Sequence, residues 1–251
     1  MSEAIIHEDN LSRAWASAFQ CAGAAPRREV QPLVVTIDTE NGPSELATVR
    51  QLIDVALEAR GLASVETVAS TIFPRSLWNP SVERQELFNR YEALWPRIRR
   101  VPANKYGTYF RRFSAFGPTK KNQLEHILET RQRGNLRRSA LQLAAFDPET
   151  DHTHQRQRGF PCLHQVAVVP HRDGTIGLTA FYATQTVLEK AYGNYLGLMR
   201  LGEFIAHEMG MRLSQVTCIA SIGLLSRAAV PAAFRDKLAA DLAAATGGSS
   251  P

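Results

Sequence analysis

Cys162-Leu163-His164-Gln165-Val166-Ala167-Val168-Val169, then His171-Arg172-Asp173-Gly174, then Thr175-Ile176-Gly177-Leu178-Thr179-Ala180-Phe181-Tyr182-Ala183 is the stretch that decides the fold. Its β-branched and apolar runs, separated by an Asp-Gly turn, predict a β-hairpin with strands over 162–169 and 175–183. An apolar run with helical spacing follows over 186–209 and stops at Gly210. Residues 213–221 then predict a last strand. Upstream, residues 33–39 alternate as a strand and residues 138–146 as another.

Helices are expected elsewhere. Residues 11–22 carry Leu11, Trp15, Ala18 and Phe19 on one side. Ser44 is expected to cap a helix over 45–60, after a turn at Asn41-Gly42-Pro43. Further helices are expected from Ser64 to before Pro74, over 81–94, over 122–131 and over 236–245. The first residues read as a polar lead, 147–160 as a polar loop, and 246–251 as a frayed tail. Runs of helices and then strands give an α+β fold, with helices covering one face of a twisted sheet. The Pro- and Gly-marked gaps are short, so residues 1–251 are expected to form a single domain.

The chain has 251 residues, 44% hydrophobic and 21% charged, enough apolar material for a sizeable core. No apolar run approaches the roughly 20 residues that cross a bilayer. The acidic, polar start at 1–10 has no apolar leader, so a cytoplasmic location is expected. Three cysteines, Cys21, Cys162 and Cys218, form no C-x-x-C pair, which points to reduced thiols. The formal net charge of +5 is scattered over single arginines without a basic run, which argues against nucleic acid as the partner.

Cys162 follows Pro161 where a loop hands over to a strand, with Arg158 before it and His164 after it. Nearby cations favour the thiolate, the form that acts as a nucleophile. His164, two residues on, is expected on the same strand face as Cys162. Cys218, in an apolar strand, reads as core. A Cys-x-His metal site would need two more ligands from 151–154, which the spacing does not demand, so no metal is expected. Arg137 and Arg138 enter a strand after a turn and suit a phosphate. Asn194 lies inside an apolar helix, where an amide is unfavourable unless it has a partner or a ligand. Gly193 beside it permits close approach of a ligand or another backbone.

Taken together, these segments resemble the thymidylate synthase superfamily, which includes pyrimidine hydroxymethylases. The family's tyrosine-glycine segment is similar to Tyr106-Gly107-Thr108-Tyr109-Phe110-Arg111, and its double arginine to Leu136-Arg137-Arg138-Ser139. Its proline-cysteine nucleophile is similar to Phe160-Pro161-Cys162, with the following histidine displaced to His164. Its strand-to-helix segment with a base-reading asparagine is similar to 180–194. The resemblance implies a thymidylate-synthase-like fold and addition of Cys162 to C6 of a pyrimidine nucleotide, with His164 beside it. It implies 5,10-methylenetetrahydrofolate as cofactor. It further implies substrate contacts from Asn194, Tyr106, Arg111 and Gln185, and a homodimer in which Arg137 and Arg138 reach the partner's nucleotide phosphate.

The chain also departs from that pattern. The family's phosphate-binding arginine before the long helix is replaced by Ala183. No Gly-Asp-x-His-x-Tyr segment accompanies the last strand, which reads Thr217-Cys218-Ile219-Ala220-Ser221-Ile222. The catalytic glutamate has only Glu66 as an outlying counterpart. A folate-dependent C5 methyl- or hydroxymethyltransferase on a nucleotide or nucleotide-like metabolite is therefore expected, rather than ordinary dTMP synthesis. The alternative is a nucleotide-binding regulatory protein that has kept the fold and altered the chemistry.

Overall fold

Alternation in the strand sequences sets up a two-sided sheet, which the computed structural model describes for residues 2–40, 42, 44–134, 137–154 and 160–247. The strands are β1 (Ala4–Glu8), β2 (Glu29–Val30), β3 (Leu33–Asp38), β4 (Gln142–Ala144), β5 (Leu163–Pro170), β6 (Thr175–Thr186) and β7 (Arg212–Leu224). They form one mixed sheet of seven strands in the order β1-β3-β7-β6-β5-β4, with β2 paired to β7. The β1–β3 and β6–β7 pairs are parallel and the remainder antiparallel.

One face of this sheet carries Leu33, Val35, Ile37, Leu178, Ala180, Tyr182, Val216 and Cys218, all buried. Helices cover it: α1 (Leu11–Ala24) lies on β1 and β3, and α8 (Tyr192–Glu208) on β6 and β7. The other face, with Val34, Thr36, Thr217, Ile219 and Ala183, is only half-buried. Around α8 stand α2 (Ala47–Glu58), α3 (Val65–Ile72), α4 (Gln85–Ile98), α5 (Tyr109–Ser114) and α6 (Gln123–Gln132). The short α7 (Pro148–Asp151) and the C-terminal α9 (Ala232–Ala245) complete the set.

Helix α8 is buried on nearly every side, the mark of a central helix. Its glycines explain how. A Cβ at Gly193 would lie 2.5 Å from Val68 Cβ, and one at Gly197 would lie 2.8 Å from Ala69 O. The close approach permitted by Gly193 is therefore made by α3, through the Val68 side chain and Val65 O. A π-helical turn, Val187–Ala191, joins β6 to α8. Trp15, fully buried, donates its indole N–H to Val187 O at 2.8 Å and ties this turn to α1.

Several expected boundaries move. Ser44 caps no helix: its Oγ donates to Asp9 O and accepts from Asn10 Nδ2, and α2 starts at Ala47. Ser64 and Asn122 do cap their helices. The expected strand over 138–146 is a 3-10 turn, Arg138–Ala140, followed by only three residues of β4. The helix expected over 81–94 begins at Gln85 and runs through Pro96 to Ile98. The polar start contains β1, which is too short and too charged at its ends to stand out by alternation. Asn41, Pro43, Asn135, Leu136 and Arg158 lie outside the described residues.

Candidate active site

Cys162 sits just before β5, and its main chain is fixed on both sides. Its N–H and that of Leu163 both donate to the Tyr109 hydroxyl, at 3.2 and 3.3 Å. Its carbonyl accepts from Ala183 N at 3.0 Å. The Tyr109 ring packs on Phe160, centroids 5.1 Å apart. Behind Phe160 stands the Arg112 guanidinium, 5.3 Å from the ring centre. Arg112 is held by Asp151 at 2.8 Å, and the second Asp151 oxygen accepts from Asp147 N. The loop that delivers the thiol is thus braced by a buried ion pair.

The thiol opens into a cavity of about 760 Å³ between α3, α4, the start of α8, the end of β6 and the turn after β7. This size falls within the range of small-molecule sites. Leu62, Leu77, Leu94, Ile98 and Val101 contribute an apolar wall. The opposite wall is polar, with Cys162, Gln185, Glu189, Lys190, Asn194 and Arg227.

Two amides face this cavity. Gln185 is 2% exposed; its Oε1 accepts from the Tyr195 hydroxyl at 3.0 Å, and its buried Nε2 has no partner. Gln185 thus brings a buried donor without a partner to the cavity lining. Asn194 is 6% exposed and makes no side-chain hydrogen bond among the described residues.

Sequence reasoning missed two cations here. Arg227 Nη2 lies 3.9 Å from Cys162 Sγ, and Lys190 lines the same wall. Arg227 follows β7 in no recognisable motif, and only the pairing of β7 with β6 brings it to the thiol. Burial pushes the Cys162 thiol above its ordinary value, while Arg227 and Lys190 oppose that shift. The expected net activation of the thiol is therefore not found: burial outweighs the two cations. Cys218, sealed in the sheet, is raised by burial alone, and Cys21 is exposed.

The other expected site residues lie elsewhere. Cys162 precedes the strand and a bulge falls between Leu163 and Gln165, so His164 does not share its face. The His164 ring packs on Phe146 at 4.7 Å and Phe181 at 6.0 Å, outside the cavity lining. Arg111 is engaged by Glu92 and lies 5.0 Å over Trp95. Tyr106 stands beside Lys105 and does not line the cavity. Arg137 and Arg138 are exposed and away from this chain's cavity, and Arg137 Nε donates to Ser139 Oγ at 2.8 Å. Glu66 does line the cavity, but Arg200 grips both its oxygens at 2.7 and 2.9 Å. That grip holds its carboxyl below the ordinary value, against the opposing effect of burial. No protein-family model matches this chain, and no curated protein is detectably similar to it.

Proposed function

We propose that this chain is a divergent relative of the thymidylate synthase superfamily. In this reading it is a C5 methyl- or hydroxymethyltransferase acting on a pyrimidine nucleotide or a nucleotide-like metabolite. One observation carries the reading: Cys162, the unpartnered Nε2 of Gln185, the Asn194 amide and Arg227 converge on a single cavity.

The chemistry follows from those groups. Sγ of Cys162, as thiolate, adds to C6 of the ring, and the electron pair of the C5–C6 double bond moves to C5. Gln185 Nε2 and the Asn194 amide supply hydrogen bonds to the polar edge of the base, where charge accumulates during addition. Arg227 stabilises the thiolate before attack. The apolar wall of Leu77, Leu94, Ile98 and Val101 fits a second flat ring system beside the substrate. A reduced folate, 5,10-methylenetetrahydrofolate, bound there would supply the one-carbon unit at C5. Its methylene–nitrogen bond would break, and the C5 proton would be lost to solvent. Hydride from the folate or a water would complete the methyl or hydroxymethyl group, and Sγ would leave C6 as the double bond re-forms. Arg137 and Arg138 reach a partner subunit's nucleotide phosphate in the homodimer this reading entails.

The test is tritium release from 5-tritiated UMP, dUMP, CMP and dCMP, with and without methylenetetrahydrofolate. Release that depends on Cys162 is expected for at least one substrate. A folded sample that releases none from any of the four sinks the reading.

A second reading rests on the raised thiol. A protein that binds a nucleotide without attacking it has no need of a thiolate, and burial disfavours one here. Such a sensor is stabilised by nucleotide equally in the wild type and in Cys162→Ala. The enzyme additionally forms a Cys162-dependent adduct with a 5-fluoropyrimidine nucleotide.

A further inference from the structure

We propose that Arg227 and Lys190 form an anion subsite beside Cys162, positioned by Glu189, that takes the phosphate group of a phosphorylated ligand. The proposal rests on the reading above only in taking the Cys162 cavity as a ligand site.

The two cations share a cavity wall with the thiol, and neither has a carboxylate within ion-pair distance among the described residues. Elsewhere Arg50, Arg84, Arg112 and Arg200 each meet a carboxylate. Two like charges on one wall repel each other, and Glu189 on the same wall makes no ion pair with either among the described residues. An oxyanion relieves that cost and accepts hydrogen bonds from both.

The placement of Arg227 is built. Glu189 Oε1 accepts from Ser226 Oγ at 2.5 Å and from Arg227 N at 3.1 Å, which fixes the turn leaving β7. Position 183, bonded through its N–H to Cys162 O, has only a methyl group to offer the thiol. Arg227 arrives at the same thiol from the neighbouring strand, since Gln185 pairs with Gly223 and Thr186 with Leu224. The second Glu189 oxygen is buried and has no partner, so its carboxylate stays with the turn without neutralising either cation by a direct ion pair.

The experiment measures protection of Cys162 from iodoacetamide, resolved by peptide mass spectrometry, with exposed Cys21 as internal control. The probes are ribose, ribose 5-phosphate, uridine and uridine 5′-monophosphate. Ribose 5-phosphate should protect at about tenfold lower concentration than ribose or less, as expected for at least one charge-assisted hydrogen bond. Comparing the two probes within each variant cancels any change in basal thiol reactivity. Arg227→Gln and Lys190→Gln should each shrink the ratio. Glu189→Ala should shrink it too, while Glu189→Gln, whose amide oxygen still accepts from the turn, should keep it. Equal protection by ribose and ribose 5-phosphate in the wild type overturns the proposal, as does an unchanged ratio in both cation variants. If uridine monophosphate protects no better than ribose 5-phosphate, the subsite stands and the pyrimidine reading falls.

Discussion

At the residue scale, the contest at Cys162 is between burial, which favours the neutral thiol, and two cations, which favour the thiolate. Burial prevails. Alkylation of Cys162 should therefore accelerate with pH through the ordinary thiol range near about 8.5 and go on rising above it. Arg227→Gln should move the profile to still higher pH. A rate already at its plateau near neutrality contradicts this. His164 gives a second handle. Partial burial holds its imidazole below the ordinary value, with Asp151 opposing. The unfolded chain then takes up the proton first, so this contribution is complete above about pH 6.5 and is lost as pH falls from there. Denaturant midpoints measured between pH 7 and 5 should fall less steeply in His164→Phe than in the wild type. Parallel slopes would show that the imidazole titrates freely.

At the element scale, the seam between α3 and α8 decides where Asn194 points. Replacing Gly197 by alanine gains about 1 kcal/mol of helix propensity. It also places a methyl 2.8 Å from a backbone oxygen that cannot swing aside. Overpacking of this kind costs about 1–3 kcal/mol and should win. The melting temperature of Gly197→Ala should fall, and ligand protection of Cys162 should weaken with it; a rise in melting temperature would mean that α3 yields easily. The loop before the thiol depends on a different contact. Asp151→Ala leaves the Arg112 guanidinium without its main partner in a buried setting, at a cost of about 3–5 kcal/mol. Chemical denaturation measures that loss, and a loss below about 1 kcal/mol would show that water replaces the carboxylate.

At the scale of the whole molecule, the sheet has one face sealed by helices and one face half-covered. Phe181 on the latter is 41% exposed, beside Ala183 and Ile219. The homodimer we propose would bury this face. Sedimentation should then give a dimer for the wild type and a monomer for Phe181→Arg. A wild type that sediments as a monomer removes the role proposed for Arg137 and Arg138 in a partner's site.

Local pattern was enough for the β5–β6 hairpin, for β3, for the capped helices α3 and α6, and for the central helix that follows β6. Each rests on short-range periodicity or on a cap read from adjacent residues. It also picked out Cys162 and Asn194, residue types whose chemistry is conspicuous in apolar surroundings, while Gln185 came only from the family resemblance. It could not place β1, whose pairing with β3 is non-local, nor the bulge that turns His164 away from the thiol. It could not find Arg227, one arginine among many, because its position follows from strand order. Sequence spacing fixes which side chains share an element. Only the pairing of β6 between β5 and β7, driven by burial of one sheet face, brings a turn beyond β7 to a cysteine before β5.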